Sequence, residues 1–323
     1  MRMTTVNEAL LWIGFIIFVL FMLLLDLKVF HRKSEKISVK SALIWSAVWI
    51  ALALAFGVGI YVLWSRELGL QFFTGYILEK SLSIDNLFVF MIIFAYFCVK
   101  DEHQHRVLFW GVMGAILLRA VFILAGVGLL HAFGWVMYIF GAFLVFTGIR
   151  MAFKKEAKVE PERDMVLRLM RRILPVSKEY HGEKFIVVEE GVRRVTPMLL
   201  VLFLIESTDV IFALDSVPAV LSVTEDVFIA FSSNILAILG LRSLYFALAG
   251  VLQKLHFLSY GLAIVLVFLG VKMLVVEFVD IPVLISLGII CLILMIAITA
   301  SLIWSHKYLK ARFDDFDNNC GSR

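Results

Sequence analysis

The sequence is poor in charged residues, proline and cysteine. Only 17% of its 323 residues are charged and five are proline, while 62% are hydrophobic. Soluble proteins carry about a quarter charged residues. Because apolar runs of 18 or more residues recur from end to end, the composition indicates a polytopic membrane protein rather than a soluble domain with an anchor. We expect the protein to be embedded in the lipid bilayer and not to bind nucleic acid.

The cysteines are too few and too scattered for thiol chemistry. Cys98, Cys291 and Cys320 form no CxxC pair and no Cys/His cluster, so we expect isolated thiols rather than a thiolate metal site or a redox pair. The apolar runs also lack a haem-ligand histidine pair and a flavin motif. The sequence therefore predicts a protein that is not an enzyme and holds no permanently bound cofactor.

Nine apolar segments have the length that a helix needs to cross the hydrocarbon, about 20 residues. Helices are expected because a spanning segment must satisfy its own backbone hydrogen bonds. The prediction is an all-α polytopic membrane protein. The predicted spans are 8–28, 41–64, 71–99, 107–130, 134–153, 196–221, 227–251, 258–277 and 282–305.

The distribution of basic residues indicates the orientation of these spans. With the N-terminus outside, 23 of the 30 lysines and arginines fall in inner segments and only Arg2 and Arg66 face outward. Since cytoplasmic loops are enriched in Lys and Arg, the C-terminus and the segment 154–195 are predicted to be cytoplasmic. Within that segment, 166–173 is predicted to form an amphipathic helix on the inner leaflet, and "KFIVVEEGVRRVT" a hairpin turning at 189–191.

The two halves of the chain resemble each other. "YIFGAFLVFTGIRM" (138–151) matches "YGLAIVLVFLGVKM" (260–273), and both are preceded by an arginine and an aspartate at nearly constant spacing, Asp85 and Arg119 in one half and Asp209 and Arg242 in the other. Each repeat holds three spans, and an odd number inverts the second copy. The pattern predicts an inverted repeat of three plus three helices, as in many secondary transporters.

The domain organisation follows from this repeat. It comprises two N-terminal helices (1–70), the first repeat (71–153), a cytoplasmic connector (154–195), the second repeat (196–278), and a last helix with a cytoplasmic tail (279–323).

Five carboxylates lie at membrane depth, where an unpaired charge costs several kcal/mol. Two of them open the first helix of the first repeat and three lie within the first helix of the second, so they converge on the predicted repeat interface. Oxygen ligands without cysteine suit a hard divalent cation. When no metal is bound, neighbouring carboxylates repel one another and take up protons, which predicts exchange of metal for protons. The candidate metal ligands are Glu79, Asp85, Glu206, Asp209 and Asp215.

Their spacing indicates how the site is built. Residues six apart, such as Glu79 and Asp85, lie about 120° apart on a straight helix. One ion could therefore be shared only through a break in the helix or by a second helix, and we predict partly unwound backbone in one or both acidic helices. The alternative is that the two residues have separate roles. Hydroxyl and amide side chains nearby are auxiliary candidates: Ser81, Ser83, Asn86, Ser207, Thr208 and Ser216.

A purely structural alternative is a set of permanent ion pairs. Lys80, Arg119 and Arg242 could neutralise three of the five acids. Five acids face only three such bases, so this alternative leaves at least two carboxylates unpaired.

The acidic segments carry a family resemblance. "GYILEKSLSIDNLFVF" and "LIESTDVIFALDSVPAV" are similar to the two signature segments of the TerC family of integral membrane proteins, and "SNILAILGLRSLYF" resembles the segment that follows. The similarity runs over about 10–305, and length and N-terminal spans most resemble the Alx branch, which is associated with alkaline induction. The resemblance implies a fold related to the LysE-type transporter superfamily and a role in manganese export.

Two functions are therefore expected from different classes. The first is a secondary transporter of the inner or plasma membrane that exports Mn²⁺ in exchange for protons. The alternative is an accessory membrane protein that supplies metal to, or assembles with, the secretion machinery. A homo-oligomer is compatible with either function.

Overall fold

The computed structural model describes residues 5–30, 39–153, 175–177, 181–182, 184–189, 191–248, 257–279 and 281–308, with the side chains of 5–8, 25–30, 85, 88, 101, 248 and 305–308 left aside. These residues are mostly helical. The helices are α1 (Thr5–Phe30), α2 (Val39–Leu63), α3 (Arg66–Tyr96), α4 (Asp101–Ala132), α5 (Val136–Phe153), α6 (Pro197–Leu221), α7 (Val227–Ile238), α8 (Leu241–Leu248), α9 (Leu258–Leu274) and α10 (Val283–Tyr308).

The prediction of a helical multi-pass membrane protein is confirmed. Within the described ranges, six helical segments are long and apolar enough to cross a membrane, and the apolar stretches Ala9–Leu24 and Leu258–Leu274 are shorter. The count of nine spans stays a prediction. The six segments are Val39–Leu63, Glu102–Ala132, Val136–Phe153, Pro197–Leu221, Val227–Ala247 and Val283–Trp304.

The chain divides into two compact units, 1–37 and 38–323. The first contains α1. In the second, α3, α4, α6 and α9 contribute to one buried apolar cluster, which includes Leu87, Leu108, Leu204 and Leu266. A lipid-facing helix keeps apolar side chains on its outer surface as well. Such side chains are exposed along α10, for example Leu292 and Ile296.

The helix break lies in a different place from the one predicted. Both acidic helices, α3 and α6, are continuous through their carboxylates, so the prediction of unwound backbone there is wrong. The predicted span 227–251 is the one that is interrupted, because α7 ends at Ile238 and α8 begins at Leu241.

Gly240 makes this break. Its φ is +83°, a left-handed conformation that glycine adopts without steric cost. The ring of Trp49 in α2 also approaches so closely that a Cβ built on Gly240 would lie 2.5 Å from its Cγ. The break frees carbonyl groups at the end of α7, and Lys80 Nζ donates a hydrogen bond of 3.0 Å to one of them, the carbonyl of Ala237. A cation at a helix C-terminus also interacts favourably with the helix dipole.

Helices α5 and α9 pack at backbone contact. A Cβ on Gly270 would lie 2.5 Å from the carbonyl oxygen of Gly141, and one on Gly148 would lie 2.7 Å from that of Ala263. The residue number rises along one helix as it falls along the other, so the pair is antiparallel. In the sequence repeat Gly141 matches Ala263 and Gly148 matches Gly270. The correspondence between the two repeats therefore maps one of these contacts onto the other.

The other helix pairs follow the same exchange. Helix α3 packs on α7, and α6 packs on α4. The repeat matches α3 with α6, and α4 with the α7–α8 pair. An inverted repeat requires that the contact of α3 with α7 match the contact of α6 with α4. The observed packing supports the inverted repeat, which stays a prediction.

Replacement of Gly270 by alanine should destabilise the α5–α9 pair. The new methyl group would collide with the backbone of α5, and overpacking of this kind costs about 1–3 kcal/mol. We expect a lower melting temperature of the purified protein in detergent. Gly288→Ala in α10 is the matched control, because no atom lies within 4 Å of its Cβ position. Equal melting temperatures for the two variants would contradict the close packing.

The predicted hairpin is confirmed, with β1 (Ile186–Glu189) antiparallel to β2 (Val192–Val195). The hydroxyl of Ser177 and the imidazole of His181, each 2.7 Å from the Glu189 carboxylate, hold the pKa of Glu189 below its usual range. A depressed pKa means that this interaction stabilises the fold above the usual carboxyl pKa and is lost as the pH falls through the lowered value. The predicted leaflet helix at 166–173 lies outside the described residues.

Two of the three cysteines lie in the described part of the chain. Cys291 in α10 is free, as predicted, and Cys98 lies just after α3.

Candidate functional site

Four helices bring buried polar side chains together at one place. Each contributes residues that are at most 4% exposed. Helix α3 provides Glu79 and Ser83, α4 provides Arg119, α6 provides Asp209 and Ser216, and α7 provides Asn234. We call these six residues the polar cluster.

Arg119 lies at the centre of the polar cluster. Its Nη1 donates hydrogen bonds to the Glu79 carboxylate and, over 2.9 Å, to Ser216 Oγ. Its Nη2 lies 3.4 Å from Asp209 Oδ1. One guanidinium therefore bridges two carboxylates that come from the first helices of the two predicted repeats, α3 and α6. The ion-pair alternative is thus realised for Arg119.

Glu79 accepts further hydrogen bonds from the helices around it. Asn234 Nδ2 donates to Glu79 Oε2 over 2.9 Å, and Ser83 Oγ lies 3.4 Å from Oε1, one helical turn along α3. Asn234 was not predicted as a site residue. The signal was available, because an asparagine after two serines is unusual within an apolar helix and stands in the third family-like segment.

Two oxygen atoms of the polar cluster are buried without a hydrogen-bond donor in the described part of the chain. They are Asp209 Oδ2 and Asn234 Oδ1. Buried polar atoms are nearly always hydrogen-bonded, and the exceptions often mark function or an additional ligand. Each of these residues uses its other polar atom within the cluster, Asp209 toward Arg119 and Asn234 toward Glu79. The arrangement thus presents oxygen acceptors that protein donors do not satisfy.

Glu206 lies one turn before Asp209 on the same face of α6. It is half-buried, and among the described residues it has no salt-bridge partner. Its carboxylate lies directly over Gly114 of α4, where a built Cβ would come within 2.1 Å of Oε1. The absence of a side chain at Gly114 creates the space that this carboxylate fills.

A methyl group at position 114 should therefore displace Glu206. If Glu206 takes part in ion transfer, Gly114→Ala should reduce the transport rate about tenfold or more, since a misplacement of about 1 Å can cost 100-fold in a positioned site. Gly128→Ala is the control on the same helix, because no atom lies within 4 Å of its Cβ position. Wild-type transport by Gly114→Ala would show that ion transfer does not depend on the position of the Glu206 carboxylate over Gly114.

Asp215 lies away from the polar cluster. Its carboxylate is hydrogen-bonded with Thr147 and lies near Arg150, both in α5. Of the other two bases, Lys80 donates to the α7 carbonyl, and the Arg242 guanidinium lies 5.9 Å from the ring centroid of Phe109.

Several predicted auxiliary groups face their own helix backbone. Ser81, Ser207 and Thr208 donate to carbonyl groups three or four residues earlier, which is common for hydroxyls inside helices. Asn86 is buried, and the Asp85 side chain lies outside the described residues. Because α3 is continuous, position 85 lies about 120° around the helix from Glu79. The continuous helix removes the option of a break in α3 between the two residues; a second helix that completes the site and separate roles both stay predictions.

The predicted group of five carboxylates is not assembled in the described residues. No group of three or more His, Cys, Asp or Glu side chains there is close enough to hold a metal ion. Glu79 and Asp209 meet through Arg119, Glu206 is adjacent, and Asp215 is directed elsewhere. Their roles as metal ligands stay predictions.

Comparison with known proteins identifies a family but no similar solved structure. The profile of the integral membrane protein TerC family matches residues 64–309. The "Uncharacterized membrane protein STKORF319" of Myxococcus xanthus is 50% identical over 91% of this chain and 92% of that protein. The "Putative membrane-bound redox modulator Alx" of Escherichia coli K12 is 42% identical over 96% of this chain and 99% of its own length. No solved structure matches.

Proposed function

Because this chain belongs to the integral membrane protein TerC family, we propose that it is a secondary transporter that exports a divalent cation, Mn²⁺, across the inner or plasma membrane. The ion passes through the polar cluster, and protons move in exchange. The protein is not an enzyme in this proposal, and the metal is its substrate. Manganese is the ion implied by the family resemblance, whereas the ligand chemistry alone favours any hard divalent cation.

The observation that carries the proposal is the pair of buried oxygens without donors, Asp209 Oδ2 and Asn234 Oδ1. Both lie in the cluster that holds the Glu79 carboxylate, within helices that are otherwise apolar. Carboxylate and amide oxygens are the ligands that hard cations take in proteins. Ionisable residues inside the membrane are rare and commonly mark ion pathways.

The charges of the site suit a divalent ion. Glu79, Asp209 and Glu206 carry three negative charges when ionised. A divalent cation would offset two of these charges. In its absence the Arg119 guanidinium offsets one, and protons would offset more by neutralising carboxylates. This reciprocity supports exchange of metal for protons. That Asp85 shares the ion with Asp209, and that Glu79 has a proton or gating role, are finer parts of the proposal.

The helix packing supports alternating access. Helix α5 packs on α9, its counterpart in the other half, and the contact of α3 with α7 has its counterpart in the contact of α6 with α4. Inverted repeats require such matched contacts. In transporters built from such repeats, rocking of one half against the other opens a central site to each side in turn. The basic residues support an orientation with the N-terminus outside and the C-terminus and segment 154–195 in the cytoplasm.

The test is uptake of radiolabelled Mn²⁺ by proteoliposomes that contain only the purified protein. We expect flux that needs no partner and that follows an imposed pH gradient. Binding of Mn²⁺ without flux would favour the accessory function at the secretion machinery. Flux that ignores the pH gradient would remove proton coupling from the proposal, and the absence of both binding and flux would overturn it.

A further inference from the structure

We propose that Arg119 is a tethered counter-cation, which occupies the carboxylates of Glu79 and Asp209 in the metal-free protein and must leave them when the divalent ion binds. The inference rests on the proposed function and goes beyond it, because it assigns an arginine of the transporter as the competitor of the transported ion. In this role Arg119 assists release of the transported ion by returning to the two carboxylates.

The position between the carboxylates of Glu79 and Asp209 has room for one cation at a time. Nη1 of Arg119 contacts Glu79 and Nη2 contacts Asp209 Oδ1, so the guanidinium lies between them. A metal ion bound by both acids needs the same position. The guanidinium and the ion therefore exclude each other at these two residues.

The surroundings hold the carboxylates while leaving the arginine removable. Glu79 keeps hydrogen bonds from Asn234 and Ser83, which do not depend on Arg119. Arg119 Nε has no hydrogen-bond acceptor in the described residues, so the guanidinium is held on its Nη side alone. The carboxylates can thus stay in place while Arg119 moves away.

The consequence for transport is faster release. Two buried carboxylates without a counter-cation would hold a divalent ion tightly, because charges attract strongly in a medium of low dielectric constant. Return of the guanidinium replaces the ion's charge at the moment of release. A transporter needs this property, since an ion that binds too tightly at its site does not leave.

Arg119→Gln tests the inference through the direction of the change in affinity. We expect the Kd for Mn²⁺ to fall at least tenfold, equivalent to about 1.4 kcal/mol, while turnover falls because release slows. Loss of an arginine with a merely structural role would weaken binding or leave it unchanged. Lys80→Gln is the control, because Lys80 is the neighbouring half-buried cation on α3 but contacts a backbone carbonyl. It should reproduce only a small part of the tightening.

Free guanidinium provides a second readout. In Arg119→Ala, millimolar guanidinium should enter the space left by the side chain, compete with Mn²⁺ and restore part of the turnover, whereas the wild-type protein should not respond. If neither variant folds, Arg119→Lys is measured, because a single ammonium does not bridge both carboxylates as the guanidinium does. Its Kd for Mn²⁺ should be lower than that of the wild type, and an equal or higher Kd would overturn the inference.

The outcomes separate the two proposals. Unchanged or weaker Mn²⁺ binding by folded Arg119 variants, in a protein whose wild type transports Mn²⁺, would overturn the counter-cation alone. Lack of Mn²⁺ binding and flux in the wild type would overturn the proposed function, and the inference with it.

Discussion

Asp209→Asn should reduce Mn²⁺ flux at least about 100-fold while the protein stays folded. The asparagine keeps the size of the side chain and an oxygen that can still accept the hydrogen bond from Arg119 Nη2. It removes the negative charge that the ion requires. Loss of groups that merely orient metal ligands already costs 10–100-fold in affinity or activity, so loss of a ligand charge should cost at least as much. The measurement is initial uptake into proteoliposomes.

Glu67→Gln is the matched control for this experiment. Glu67 lies in the first turn of α3 and is exposed, so its neutralisation should leave flux close to that of the wild type. Flux of Asp209→Asn within about twofold of that of Glu67→Gln would contradict a role of Asp209 in binding the ion. Glu79→Gln is less informative, because Glu79 also accepts hydrogen bonds from Asn234 and Ser83, so the change would disturb contacts that do not involve the ion.

Gly240→Ala should be strongly destabilising. An alanine at a left-handed φ costs about 1–2 kcal/mol, and its Cβ would also lie within van der Waals radius of the Trp49 ring. Overpacking adds about 1–3 kcal/mol, so a loss of about 2–5 kcal/mol in the free energy of unfolding is expected. The measurement is chemical denaturation of the purified protein in detergent micelles.

Gly191→Ala separates the two causes. Gly191 also has a positive φ, +78°, but no atom lies within 4 Å of its Cβ position. This variant should lose only the conformational part, about 1–2 kcal/mol. Equal losses for the two variants would show that the contact between Gly240 and Trp49 does not constrain the break.

The sequence predicted the features that depend on local pattern. Apolar runs located the helices, the alternation around Gly191 located the hairpin, and the acidic segments located the helices that meet at the polar cluster. Hydropathy and spacing express the cost of exposing polar groups to lipid, and this cost acts on each segment separately. Such features can therefore be read without tertiary structure.

The features that depend on partners in other helices were missed. The serines near position 81 suggested a break in α3, but the Ser81 hydroxyl donates to the Ile77 carbonyl, the Ser83 hydroxyl donates to the Glu79 carboxylate, and α3 continues. The break occurs at Gly240, where Trp49 leaves no room for a side chain, and no local pattern shows that contact. Similarly, only the three-dimensional arrangement brings Asn234 to Glu79 and places one arginine between two acids.

The most direct test of the account is to locate manganese in the protein. Anomalous diffraction at the manganese absorption edge, from crystals of the purified protein grown with Mn²⁺, would show the ion in contact with the Asp209 carboxylate and the side-chain oxygen of Asn234. The guanidinium of Arg119 would have moved away from Glu79. Manganese found only at the protein surface, with the bridge between Glu79, Arg119 and Asp209 intact, would contradict the claim that this buried cluster binds the transported ion.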